Sequence, residues 1–549
     1  MTSWLGLAPT GARRLLLAAL LTGVGAPAQA QAPREATAVS IVLGAEPTIP
    51  VPAFSSSKQN VDAASLIFLP LARLNRKLET TAERSFEPLL ARSWSRRDSL
   101  TLVFELDPRA RWHDGVPVTS RDVVFSLTRF RDTTVSRTYA LLLRDLAAVT
   151  ADGPHRVVVS FRRPYPEQLF DAVHHVWPLP AHLLDSVPPA RLTTAAFVSR
   201  PIGSGPFRWG RLEPGRLVEL VANPEFFLGK PGVDRVLLLV VRAAEAQLNL
   251  MLDGTADAFE AFLVPNQITP LVQDPSLRLV TQPSLGVGYL LFNQKALGDR
   301  SKPHPILSDP AVRRAIALGI DRPNLIRSVF GPYATVVDGP MGQASWIRRI
   351  APKQPGANPA AARRLLAERG WRDTDGDGIV DKGGVPLSLR LAYPGSSLPR
   401  VSTAEPIQEM LRRIGVRIEL VRLDGPVWFE RRSRGEFDID YSQAVLDPTP
   451  SGLVQSWSCA GIGGSNVAHV CDPAFDAALT RAIGATDDPA RHWREAIGVL
   501  QSTQPAVFLY SPVQSIVLRT RLRRVTTRPD LPWADLWRWT VDPAPRAAR

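Results

Sequence analysis

Cysteine is scarce: the 549 residues hold two, Cys459 and Cys471. With only His469 beside them, they fall short of the four ligands of a structural zinc site. Lysine is scarce too, with seven residues among 65 Lys and Arg, so the formal charge of +13 is an arginine charge. It is scattered along the chain rather than gathered into a stripe beside aromatic residues, which argues against a nucleic-acid surface. Long apolar runs are lacking. The longest, Leu15 to Leu21, is far short of the ~20 residues that span a bilayer. Gly203-Ser204-Gly205-Pro206 lacks the Gly-Lys-Ser/Thr ending of a nucleotide loop. G-x-S-x-G and H-E-x-x-H are missing as well, which leaves a secreted hydrolase without visible machinery. No fixed period recurs, so a solenoid or propeller is excluded.

What is present is a long globular chain. At 549 residues, with 45% hydrophobic and 21% charged residues, it requires more than one core. Arg13 and Arg14 precede the Leu15 to Leu21 run, and Ala28-Gln29-Ala30 follows as an A-x-A cleavage pattern. Residues 1–30 therefore read as a secretory signal peptide cleaved near Ala30, which places the mature chain in the periplasm. No cysteine near that point suggests a lipid anchor. Losing the charges of Arg13 and Arg14 takes +13 to +11. Export favours a Cys459–Cys471 disulfide, which would stabilise by about 3 kcal/mol in the chain-entropy model; two buried thiols are the alternative.

The pattern alternates strands and helices. Ala38 to Leu43 reads as a strand, Asn60 to Leu74 as a helix, and Leu100 to Leu106 as a strand with Leu100, Leu102, Phe104 and Leu106 on one face. Thr119 caps a helix over Ser120 to Phe130, its hydroxyl accepting the Asp122 N–H. Strands follow at Arg156 to Phe161, Leu217 to Ala222 and Val236 to Arg242. Farther on, Asp309-Pro310, Asp321-Arg322-Pro323 and Asn358-Pro359 open helices, the last turning Ala361, Leu365 and Leu366 inward and stopping at Gly370. Strands at Leu387 to Ala392 and Val416 to Val421 bracket a helix around Ile407 to Ile414, a spacing suited to parallel pairing.

Five segments in order resemble the family 5 extracellular solute-binding proteins, the peptide, nickel and oligosaccharide receptors of ABC importers. They are Leu89 to Trp94 with Trp112-His113-Asp114-Gly115 and Asp122 to Ser126; Gly203 to Phe207 with Asn223-Pro224-Glu225-Phe226-Phe227; Asp309 to Ile316 with Ile320-Asp321-Arg322; Leu365 to Trp371 with the Asp373 to Asp381 loop; and Phe437-Asp438 leading to Asp447-Pro448, then Gly464-Ser465-Asn466 and Asp472 to Asp476. The resemblance implies an α/β, two-lobed periplasmic-binding-protein fold (type II, cluster C-like) with an extra subdomain in lobe one. Its lobe-one core would comprise 34–50, 195–283 and 508–549, the subdomain 51–194, and lobe two 284–507. The chain would cross between lobes near Pro283 to Tyr289 and Pro505 to Pro512. It implies a monomeric, cofactor-free receptor, not an enzyme. Such a receptor captures a peptide or a solute of similar size and delivers it to ABC permease and ATPase subunits, with no nucleic acid involved. A nickel, metal-chelate or oligosaccharide receptor of the same fold is the alternative.

Counting from Phe437-Asp438, Asp447 falls where peptide-binding members place an aspartate on the ligand α-amine. The Gly-Trp usual just before is Gln443-Ala444 here, and a three-residue shift would put Ala444 at the anchor. Asp447-Pro448 also reads as a strand-ending turn. Trp428, Tyr441 and Trp457 are candidate cleft walls, large and stiff, and equally candidate core residues. Asp373, Asp375, Asp377 and Asp381 occupy positions 1, 3, 5 and 9 of a calcium-loop template, but position 12 is Gly384; an Asx-rich turn is the other reading. His113 reads as part of a turn. Neighbouring His174 and His175 point in divergent directions, which disfavours a metal pair.

Overall fold

The computed structural model describes residues 37–54 and 57–542; the expected signal peptide lies outside them, as do the outermost ends of the expected lobe-one segments. Ala38–Leu43 is apolar almost throughout because it is covered on both faces. It pairs in parallel with Arg235–Val240 on one side and Ala258–Ala261 on the other. In the second half Ser388–Pro394 pairs in parallel with Arg417–Leu423 and with Ile439–Val445, the parallel arrangement expected from the strand-helix-strand spacing. One long strand, Ala506–Arg519, joins the halves: its Ala506 to Tyr510 stretch pairs with Gly286–Phe292 and its Val513 to Arg519 stretch with Leu277–Pro283. With Phe207–Glu213, Leu217–Ala222 and Ala334–Val336 these form a sheet of twelve strands among the described residues.

The sheet's pleat sorts side chains between layers. Tyr441 and Ile439 enter one cluster of buried side chains, with Val312, Ile316, Ile407 and Leu411 from the helices Pro310–Gly319 and Leu398–Arg412. Tyr289 and Leu291 enter another on the opposite face, with Trp457, Phe475 and Trp493. A separate four-stranded antiparallel sheet, Ala91–Asp98, Thr101–Leu106, Arg156–Phe161 and Leu146–Ala151, carries the helix Ser120–Phe130.

Local signals locate most helices. Asp309, Asp321 and Asn358 all cap the helices that they precede, each accepting a first-turn N–H, with proline in the first turn. The Thr119 cap works the other way round from expectation: the Asp122 carboxylate accepts from the Thr119 N–H at 2.8 Å and also from the Ala181 N–H at 2.9 Å. The helix expected over Asn60 to Leu74 is Lys58–Ile67. Pro70 cannot continue it, and Ala72–Leu74 pairs with Phe86–Pro88 instead. In Pro359–Glu368 the buried pair is Ala362 and Leu366, not Ala361 and Leu365. No described helix is long and apolar enough to cross a membrane.

Candidate functional site

Strand directions locate the site. In the second half Ile439–Val445, Ser388–Pro394 and Arg417–Leu423 run in the same sense as the long strand, because Gly286–Phe292 is antiparallel to both the long strand and Ile439–Val445. In the first half Ala258–Ala261, Ala38–Leu43 and Arg235–Val240 run the opposite way. The carboxyl ends of both parallel sets therefore point toward each other, at the level of Tyr510 to Gln514. In open α/β sheets, ligands bind outside such ends.

On the first-half side a cavity of about 150 Å³ is lined by Gly44, Lys58, Asp62, Gln247 and Glu260, among others. Lys58 Nζ lies 2.7 Å from both Asp62 and Glu260, and Gln514 donates to Glu260 at 3.1 Å. Burial pushes the Asp62 carboxyl up to about 6, against the pull of Lys58.

On the second-half side Asp447 follows Ile439–Val445 and keeps 35% of its side chain exposed. His174 Nε2 lies 3.9 Å away, and Gln455 donates to it at 3.3 Å. Burial raises its pKa, but the His174 contact and the nearby His175 outweigh burial and hold the carboxyl below its ordinary range. His174 stacks on Phe170, while His175 bonds Asp171 at 3.1 Å. The two rings thus diverge to separate partners. Beside them Glu167 is buried and accepts the hydroxyls of Thr80, Thr449 and Ser451, with Thr449 at 2.6 Å and 2.7 Å. Burial raises its pKa, and neighbouring Asp171 adds to the shift. This carboxylate ties the four-stranded-sheet region to the loop after Asp447. No sequence signal singled it out, since its partners come from two distant segments, at Thr80 and at Thr449 to Ser451.

The other expected residues separate. Trp428 is half-buried, with the Arg400 and Arg432 guanidiniums 5.0 Å and 5.8 Å from its ring, and donates to Asp440 at 2.8 Å. Tyr441 does not form a cleft wall: it is fully buried, and its hydroxyl meets that of Thr403 at 2.7 Å. Its phenol is pushed up to about 12, chiefly by burial. Trp457 is likewise core, packed against Tyr289 and Phe508. Tyr441 follows the pleat of its strand into the helix layer, and Trp457, at the end of the helix Leu453–Trp457, packs into the layer on the opposite face. Cys459 and Cys471 are joined by a disulfide with Cα atoms 4.4 Å apart.

The aspartate loop is a ladder of turns. Asp373 accepts from Gly376 and Gly378, Asp375 from Asp377, and Asp377 from Ile379 and Arg417. Asp373, Asp375 and Asp377 are exposed and gather within 4.8 Å, whereas Asp381 turns to Thr374. His113 is a buried clamp: its Nδ1 accepts the Gly203 N–H and its Nε2 meets the Gly205 carbonyl, both at 3.1 Å, and burial lowers it to about 4. A Cβ on Gly203 would fall 2.0 Å from the Ile67 carbonyl oxygen, so that turn requires glycine.

Residues 85–464 match the bacterial extracellular solute-binding proteins, family 5, middle region. The chain belongs to this family. It is accordingly an extracellular solute-binding protein rather than an enzyme. The family 5 chain is 27% identical over 412 residues to the oligopeptide-binding protein AppA of Bacillus subtilis, covering 73% of this chain and 72% of AppA. The structure of AppA in complex with a nonapeptide superposes with a TM-score of 0.82 at 24% identity, over 92% of this chain and 99% of that one. NikZ of Campylobacter jejuni, in complex with Ni(L-His), gives the same TM-score, identity and coverage. DppA of Helicobacter pylori, in complex with the peptide STSA, gives 0.78 at 18% identity, over 92% and 98%. The fold is therefore the mixed α/β fold of the cluster C periplasmic binding proteins.

Proposed function

We propose that this receptor captures a peptide at the facing strand ends, with Asp447 taking the ligand's amine, and hands it to the membrane subunits of an ABC importer. The observation that carries the reading is the state of Asp447. It sits at a strand carboxyl end, ionised and partly open, with a histidine at 3.9 Å but no arginine or lysine in ion-pair distance among the described residues. A ligand ammonium would complete it, and losing one partner of such a desolvated pair is costly. The kinship with AppA and DppA supports a peptide. In this reading residues 1–30 direct export and are cleaved near Ala30. The two lobes, divided as expected from the sequence, hinge where Pro283 to Tyr289 and the long strand cross between them, a two-crossing arrangement suited to closure.

Mass spectrometry of whatever co-purifies from the native periplasm, followed by calorimetric titration of the stripped protein with that compound, tests the proposal. Peptides that rebind saturably without turnover agree with it. A sugar or a metal chelate bound in their place, or product formation, overturns it.

A further inference from the structure

Three basic side chains meet at the opposite end of Ile439–Val445 from Asp447. Asp447 follows the carboxyl end of that strand, and its seven residues set the two ends about 20 Å apart. At the amino end Gly286–Phe292 runs out into Asn293, whose side-chain amide donates to the Gly435 and Phe437 carbonyls at 3.0 Å and 2.9 Å. The chain beyond is tied to the disulfide-closed loop. The Gln294 N–H donates to the Ala468 carbonyl at 3.1 Å. Arg300 Nη2 donates to the Val467 carbonyl at 2.6 Å, and its Nη1 donates to that of Arg434. Lys295, Arg300 and His469 are thereby gathered at one corner, all half-buried.

No ion pair to any of the three exists among the described residues, and the neighbouring acids are committed: Asp299 pairs with Lys302 at 3.1 Å and Glu436 with Arg434 at 3.2 Å. Arg300 Nε is buried without a hydrogen-bond partner among the described residues. Burial lowers the His469 imidazole, and the charges of Arg300 and then Lys295 push it lower still. His469 also holds a left-handed backbone, with φ 55°, which glycine adopts freely and a residue with a side chain does not. The Gln294 bond to Ala468 before it and the Val470 N–H, donated to Asn466 at 3.0 Å, after it pin it there. Strain of this kind persists where the surroundings fix it, and it clusters at ligand sites.

We infer that Lys295, Arg300 and His469 form an oxyanion site away from the ligand-facing strand ends, one that takes a free tetrahedral anion such as inorganic phosphate. A guanidinium already anchored through two carbonyls keeps its remaining N–H groups in a fixed fork, the lysine adds a mobile point charge, and the imidazole adds a third donor. Donors on three side chains match an anion with three or more oxygens better than the two oxygens of a carboxylate. The site goes beyond peptide capture and does not depend on Asp447.

Calorimetric titration of the exported chain with inorganic phosphate at low salt, with sulfate and acetate as further probes, tests it. Phosphate and sulfate are expected to bind saturably, and acetate at least about tenfold more weakly. Lys295→Gln should weaken phosphate binding about tenfold, the loss of one charge-assisted contact. Arg300→Gln should abolish it, and Arg300→Lys should restore part of it. His469→Gly suits the left-handed backbone, so it should hold or raise the melting temperature while weakening phosphate binding. In NMR titration the His469 imidazole should move up when phosphate is present, because the anion offsets the two cations. No saturable binding of phosphate to wild type, or binding that Lys295→Gln and His469→Gly leave unchanged, overturns the site while peptide capture stands. Acetate bound as tightly as phosphate overturns the tetrahedral assignment. Phosphate binding that depends on these residues in a chain that fails to bind Ala-Ala-Ala keeps the site and defeats peptide capture.

Discussion

The strand ends of the two halves both carry buried or half-buried carboxylates, but they neutralise them differently. In the first half Asp62 and Glu260 share the ammonium of Lys58 at 2.7 Å each, and Gln514 closes the set. Within the second half Asp440 is closed in the same manner, with Arg432 at 3.0 Å and Trp428 at 2.8 Å. Asp447, just beyond the end of the same strand, has no arginine or lysine in ion-pair distance among the described residues, only His174 at 3.9 Å. Carboxylates that are already matched hold the structure together, and the unmatched one is available to a ligand. Burial alone would not have separated them, since the distinction lies in whether the cation belongs to the chain.

The largest effect should come from breaking a closed site. Arg432→Leu leaves Asp440, which is 0% exposed, without its cation, and the expected loss is about 3–5 kcal/mol in urea unfolding. A loss below about 1 kcal/mol would show that Trp428 and the Ser442 hydroxyl, which also donates to Asp440, suffice, and the distinction between closed and open sites would weaken. Next, Asp447→Ala should leave stability nearly unchanged while lowering the affinity for Ala-Ala-Ala by at least tenfold, in line with a loss of roughly 2–5 kcal/mol for a desolvated pair. An affinity within about twofold of wild type, well under 1 kcal/mol, ends the anchor role.

A smaller effect is expected at the tie between regions. Glu167→Gln keeps the shape but replaces an all-acceptor carboxylate facing three hydroxyls with an amide that must donate. The expected cost is about 1–2 kcal/mol, accompanied by a larger ligand-free radius of gyration in solution scattering. An unchanged radius would show that Glu167 does not hold the regions together.

The mildest effect is a slope with pH. Asp62 binds its proton more tightly folded than unfolded, with its value raised from 3.8 to about 6. Its contribution is therefore fully present below pH 3.8 and declines as pH rises through about 6. Asp62→Asn should flatten that part of the melting-temperature profile. If the variant's slope matches that of wild type, another group is responsible.

Much of the fold was legible from local pattern. Asp309, Asp321 and Asn358 mark helix starts because capping involves only neighbouring residues, and the parallel pairing of Ser388–Pro394 with Arg417–Leu423 follows from spacing. Where the sequence reading failed, longer-range competition won. Ala72–Leu74 leaves the expected helix to pair with Phe86–Pro88. Tyr441 turns into the helix layer because neighbouring Asp440 takes the other face of the pleat. The site was less legible. Asp447 could be named from its motif, but not its openness, and Glu167 and the Lys295–Arg300–His469 cluster carried no signal.

By itself, then, the sequence determined the class of the protein, its kinship, most element boundaries and the residue types at the strand ends. These depend on periodicity, caps and ordered motifs, which are local or nearly so. Only the tertiary structure decided which carboxylate meets an internal cation and which arginines remain without one. Charge pairing acts over a few ångströms, and the chain brings Glu167 to Thr449 across 282 positions. No window along the sequence contains both.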